Sequence, residues 1–361
     1  MSIESVSEKP VFKNIQALRG IAALMVCCYH FSYLISESWC ETAFSHGWLG
    51  VQIFFIISGF IMVHTTSGIK SHYQTGAWRF FGNRIIRIIP LYYLCTLLHI
   101  APAIGDGFSD IDGDLLISSL LFIAPLTSHV GPEYGMPSLE VGWSLNYEML
   151  FYAVFAIAIL FRRSKLLFLY IVLLSAIFLI PILFAGIFPV SYRPWIDYGF
   201  AYTNVLTNPI LIHFVFGITL GIIMPVIKVS RNLKIVILIS TSLLFLSYYT
   251  GYINAEFTVW NDLFFCGLLV TGFLINDYGS NGIRFIPAMV KLGDMSYSIY
   301  LLHPIVIFFM KIAFHKAGYR DSINTVAFFV FALLMVLICS FIFYHFIEKR
   351  LTKYLKHKFI S

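Results

Sequence analysis

The sequence predicts an all-α fold: a polytopic integral membrane helix bundle of about ten transmembrane helices with both termini in the cytoplasm. Three observations carry this prediction. Of 361 residues, 59% are hydrophobic and only 12% are charged, against roughly 25% charged in a soluble domain. Apolar runs long enough to cross a bilayer recur at about 14–35, 47–66, 88–105, 142–161, 166–188, 209–227, 235–253, 258–276, 295–315 and 323–347. When the chain is threaded through these runs, nineteen of the twenty-four Lys and Arg fall on one side. Three (Arg193, Lys316, Arg320) fall on the other and two (Arg19, Lys311) lie within spans. By the positive-inside rule the crowded side is cytoplasmic, and an even span count puts both termini there.

The first span, NIQALRGIAALMVCCYHFSYLI, carries Arg19 and His30, eleven residues apart. At about 100° per residue they share one helix face, about 16 Å apart along the axis. Ionisable groups at membrane depth seldom face lipid, so this stripe predicts a polar cavity lined by the first helix. The second span, GWLGVQIFFIISGFIMVHTT, offers Gly47, Gly50 and Gly59 for close helix approach, and Ser58 as either a packing or a cavity residue. The connection AWRFFGNRIIRIIPLYY brings Arg79, Arg84 and Arg87 ahead of Pro90. These arginines serve either as the positive-inside signal or as bidentate phosphate ligands.

The longest outer connection, 106–141, holds Asp106, Asp110, Asp112, Asp114, Glu133 and Glu140 around the apolar patch LLISSLLFIAPL. That patch is too short to span and predicts an interfacial or re-entrant helix. The fourth span begins near Gly142 in VGWSLNYEMLFY. Counted from the outer surface, Glu148 lies about 9 Å deep, level with His30, and the two are expected to pair, the carboxylate orienting the imidazole. A second outer connection near 189–208 is rich in Tyr, Trp, Asn and Asp; it suits either a sugar-contacting surface or an interfacial aromatic belt. The ninth span opens GDMSYSIYLLHPIVIFFM, with Ser296, Tyr297 and Tyr300 toward the cytoplasm and His303 ahead of Pro304. The proline loosens the helix one turn back and makes Tyr297, Tyr300 and His303 cavity candidates. Lys311 is read as snorkelling. The basic tail after residue 347 suits an anionic lipid surface.

Several classes are set aside. No CxxC pattern occurs: Cys27, Cys28, Cys95, Cys266 and Cys339 fall in spans and Cys40 in an outer loop, so neither a disulfide framework nor a metal site is expected. The net charge of +6 reports topology; no basic patch with aromatic platforms suggests nucleic acid. The opening MSIESVSEKP is not followed by a small-residue cleavage site, so the first run is expected to be a retained span. No internal repeat, low-complexity tract or appended soluble domain is evident.

Five stretches in order, Arg19 to His30, GWLGVQIFFIISGF, RIIRIIP, WSLNYEMLFY and SYSIYLLHP, resemble the membrane acyltransferase 3 family, integral-membrane O-acyltransferases of bacterial surface glycans. The likeness covers about residues 12–348, which implies one transmembrane acyltransferase domain over 1–361. It implies acyl-CoA, most simply acetyl-CoA, as donor substrate on the cytoplasmic side, with no bound cofactor. The implied acceptor is a carbohydrate hydroxyl, free or lipid-linked, of an exopolysaccharide, capsule or O-antigen (lipopolysaccharide), handled in the bacterial cytoplasmic (inner) membrane. It casts His30 as catalytic, Arg19 as its partner and Glu148 as a further site residue. Asn83 departs from the family by standing where members often have the first of two adjacent arginines, and Lys349 by following Glu348 without the usual nearby Pro. His30 would act as general base or through an acyl-histidine. A glycan or lipid-linked precursor transporter is the competing class, since buried ionisable groups also mark transport paths.

Overall fold

The computed structural model describes residues 12–35, 38–69, 72–105, 111–200, 202–253, 255–278 and 282–360. The opening polar stretch through Lys9, together with Lys70, Asp106 and Asp110, lies outside them. Among the described residues all regular structure is helical. Ten helices are long and apolar enough to cross a membrane: α1 (Lys13–Ser32), α2 (Thr42–Thr66), α3 (Tyr73–Ala103), α4 (Gly142–Leu160), α5 (Arg162–Ala185), α6 (Pro209–Val226), α7 (Arg231–Tyr249), α8 (Val259–Asp277), α9 (Ser296–Lys316) and α10 (Val326–Phe359). The end of the bundle where α1 begins, crowded with Lys and Arg, is called the basic end below.

Two helices run past the bounds that hydropathy sets. The third begins at Tyr73 and not near 88, because nothing between Tyr73 and Pro90 breaks a helix, and hydropathy sees only its apolar half. Arg79, Arg84 and Arg87 therefore stand on the same rigid helix as the span. The last helix continues through a π-helical turn, Tyr344–Glu348, into the basic segment Lys349–Phe359.

Small residues let backbones meet. A methyl group on Gly59 would lie 2.3 Å from the Phe214 carbonyl oxygen, and one on Gly217 would lie 2.1 Å from that of Ile56, so α2 and α6 cross in backbone contact. A methyl on Gly293 would lie 1.7 Å from the Gln16 carbonyl oxygen. This contact seats the short helix Pro287–Asp294 against the start of α1.

The patch expected as an interfacial or re-entrant helix lies partly in a short helix, Gly113–Leu120, capped by the Asp112 carboxylate, which accepts from the Leu115 N–H at 3.0 Å. Tyr92 and Tyr93 of α3 donate to the carbonyls of Ser119 and Leu120 at 3.3 and 2.8 Å. The chain then turns inward: Phe122, Ala124, Tyr134, Leu139 and Val141 are all buried. Tyr147 donates to the Pro132 carbonyl at 2.6 Å, Tyr134 to that of Pro194 at 3.1 Å, and the Asn208 amide to the Tyr134 hydroxyl at 3.0 Å. The first two bonds satisfy non-helical backbone inside the bundle, which is the condition for such backbone at membrane depth, and the third holds Tyr134 in place.

The inward turn fixes where α4 begins. A methyl on Gly142 would lie 2.7 Å from the Tyr92 hydroxyl. The Val141 carbonyl accepts from Tyr300 at 3.1 Å, and Ser144 Oγ lies 2.7 Å from the Tyr300 hydroxyl. Tyr300 precedes His303 by three residues, about 4.5 Å of helix, and His303 stands beside His30, two residues from the end of α1. Hence α4 starts inside the bundle, about one helical turn below the histidines.

Candidate active site

Helices α1, α2, α3, α4 and α9, with the short helix Pro287–Asp294, enclose a cavity of about 560 Å³, within the usual range for a small-molecule site. Its apolar wall includes Phe54, Phe55, Ile57, Ile61, Met62 and Leu145. Among its polar groups are those the sequence singles out: Arg19, Ser58, Arg84, Arg87, Glu148, Tyr297 and Tyr300 all line it.

Helical spacing arms each wall. Arg19 Nη1 donates to Gln16 Oε1 three residues earlier, at 3.2 Å, and Gln16 Nε2 donates to Asp294 Oδ1 at 2.8 Å. The guanidinium is thereby oriented from behind, leaving further N–H groups for the cavity. Glu148 Oε1 accepts from Ser58 Oγ at 3.0 Å and from the hydroxyl of Tyr152, one turn along α4. The Arg84 guanidinium lies over the Tyr152 and Phe80 rings, at 5.6 and 5.5 Å from their centroids, and its buried Nε has no hydrogen-bond partner. Tyr297 donates to the Ile88 carbonyl at 2.8 Å, joining α9 to α3 at the level of these arginines.

Toward the basic end the cavity meets a second space of about 640 Å³, with Thr65, Arg84 and Arg87 in both walls. Arg79 lines only this outer basin of the two, opposite Lys356 of the last helix. Among the described residues that line the basin there is no carboxylate. The Asn83 amide donates to the Arg79 carbonyl at 2.6 Å and brings no charge.

The two histidines lie at the other extreme, outside the cavity lining. His303 follows Tyr300 by three residues and its ring stands 6.1 Å from the Tyr300 ring; the His30 ring is 5.1 Å from that of His303, tilted by 43°. His303 is fully buried. Its Nδ1 lies 3.2 Å from the Ile299 carbonyl, which requires a proton on that nitrogen and leaves Nε2 as the acceptor. Nε2 has no hydrogen-bond partner.

The expected pairing of His30 with Glu148 is not formed. Glu148 bonds to Ser58 and Tyr152, at the level of Arg19 and Arg84. The depth of about 9 Å below Gly142 holds by helical rise. The error lies in placing Gly142 at the membrane surface, when the inward-turning segment carries it into the bundle.

A model of the acyltransferase-3 family, described as an acyltransferase domain, matches residues 12–345. The chain belongs to this family. The exopolysaccharide production protein ExoZ of Rhizobium meliloti (strain 1021) is 30% identical to it over 73% of this chain and 78% of ExoZ. The O-acetyltransferase OatA of Staphylococcus aureus (strain NCTC 8325 / PS 47) is 23% identical over 97% of this chain, which spans 59% of OatA. No solved structure matches.

In this multi-pass membrane acyltransferase, the groups that the fold brings to the cavity or its basin and that sequence reasoning missed include Gln16, Tyr152, Asp294 and Lys356. Two had a signal, since Gln16 is one turn from Arg19 and Tyr152 one turn from Glu148 on the same faces. Asp294 and Lys356 had none, because only long-range packing places them.

Proposed function

We propose that this acyltransferase moves an acyl group, most simply acetyl, from cytoplasmic acyl-CoA to a hydroxyl of a surface glycan of the exopolysaccharide, capsule or O-antigen class, in the bacterial inner membrane. The observation that carries the proposal is the continuity of a cationic basin with a largely apolar cavity. The basin suits the phosphates of the donor, and the cavity suits its uncharged pantetheine arm. Arg84 and Arg87 stand where the two compartments join. The names of ExoZ and OatA, with exopolysaccharide in one and O-acetyl transfer in the other, support the choice of acceptor class and acyl group.

The chemistry then follows from placement. Arg19 and Tyr300 sit on the cavity wall where a thioester carbonyl would arrive, and Arg19 stabilises the oxygen that becomes negative on attack. His30, reached past Tyr300 and His303, takes the proton from the glycan hydroxyl as its oxygen bonds to the thioester carbon. The C–S bond breaks, the thiolate leaves, and the proton returns to it as CoA-SH. Glu148 holds Ser58 and Tyr152 and balances the arginines; it does not orient His30.

Purified protein given acetyl-CoA is expected to release free CoA thiol in proportion to enzyme, and faster with a glycan acceptor present. Replacing Arg84 and Arg87 together with alanine is expected to raise the apparent KM for acetyl-CoA by about 10–100-fold with little change in kcat, since phosphate contacts are made equally in ground and transition states. Absence of enzyme-dependent thiol release, or an unchanged donor dependence in the double variant, contradicts the proposal.

A further inference from the structure

The segment after the last span is the part of the chain that the proposed reaction leaves unused. Its sequence, KRLTKYLKHKF, suits an anionic lipid surface. The geometry separates one lysine from the others: of Lys349, Lys353, Lys356 and Lys358, only Lys356 lines the basin that holds Arg79, Arg84 and Arg87. The helix is fixed there from two sides. At its start, Glu348 of the π-helical turn accepts from Ser298 Oγ of α9 at 2.5 Å. At its end, Leu355, Phe359 and Ile360 face Trp78, Ile85 and Ile86 of α3 across an apolar groove, and Ile360 lies over Gly82, where a methyl would be 3.2 Å from its Cδ1. Leu355 and Phe359 line the groove, and Lys356, about 100° round the helix from Leu355, lines the basin.

Four cations thus surround one water-accessible space with no carboxylate among its lining residues. Like charges so arranged repel, and the repulsion is relieved by a ligand carrying several negative charges. We propose that Lys356 is a donor-binding residue: its ammonium contacts a phosphate of the nucleotide part of acyl-CoA, across the basin from Arg79, Arg84 and Arg87. The inference rests on the acyl-CoA reading above and adds to it a wall of the donor site supplied by the C-terminal helix. The same four cations could attract a phosphate from a lipid headgroup, so the test separates the two sources.

The experiment compares acetyl-CoA with S-acetylpantetheine, which has the same thioester arm and no phosphate, using the full chain in neutral phosphatidylcholine nanodiscs and again with anionic lipid added. Lys356→Glu is expected to raise the apparent KM for acetyl-CoA by roughly tenfold or more, the loss of one charge-assisted contact, with kcat unchanged and S-acetylpantetheine kinetics unaffected. Lys356→Arg should restore the wild-type KM, and Lys353→Glu, at a lysine that does not line the basin, should leave both donors unaffected. An equal effect of Lys356→Glu on both donors, or an effect confined to anionic lipid, overturns the proposal and makes the helix a lipid-bound or structural element. A wild-type protein that turns over neither donor overturns the acyl-CoA reading itself, and this inference with it.

Discussion

Replacing His30 with alanine is expected to bring glycan acylation to background while the protein remains inserted and abundant. The loss should be about 10²–10⁴-fold, the usual contribution of a positioned base. His30 is half-buried, and its ring contacts are with Tyr29 and His303. Removing the imidazole therefore opens a small space near the end of α1 without disturbing the glycine contacts that hold α2 to α6. His303 bonds through Nδ1 to its own helix, so it stays in place and presents the same unpartnered Nε2. The check is mass spectrometry of the surface glycan beside quantitation of the protein in membranes. Normal acylation in the variant would remove His30 from the mechanism.

Arg19→Lys is expected to cost about 10²–10³-fold in kcat, the scale seen when a preorganised donor to a developing oxyanion is lost. Charge is retained in this substitution, so the effect isolates geometry. In the native chain the guanidinium is planar, and one of its nitrogens is pinned by Gln16, itself held by Asp294. A lysine ammonium has no second arm with which to keep that contact and also present a donor to the cavity. Gln16→Leu should reproduce part of the loss, because it frees Arg19 without removing it. Steady-state kinetics on the purified variants decides this: a lysine variant as active as the wild type would mean that Arg19 supplies charge alone.

The fold class was legible because hydropathy is a local property, and ten apolar runs can be read from ten windows of sequence. The cavity was legible in part for a related reason. Arg19, Ser58, Arg84, Arg87, Glu148, Tyr297 and Tyr300 are polar groups on apolar helices, each conspicuous without reference to any other. Relative depth was not legible. Glu148 was placed beside His30 by counting from a surface that Gly142 does not reach, and what lowers Gly142 is a set of bonds between residues far apart in sequence, from Tyr147 to Pro132, Asn208 to Tyr134 and Tyr300 to Val141. The start of α3 was missed because an arginine-bearing helix beyond the apolar core carries no hydropathy signal. Lys356 was hidden because a lysine among lysines differs only in where its helix is docked.

The proposed donor path enters at the basic end, passes Arg84 and Arg87, and delivers the thioester toward His30 from within the bundle. The most direct measurement uses vesicles containing the protein in one known orientation, with acetyl-CoA supplied to one side only and transfer to an acceptor glycan read by mass spectrometry. Transfer is expected when the donor is on the side of the basic end and the glycan is on the opposite side. Transfer supported by acetyl-CoA confined to the side opposite the basic end would contradict the path.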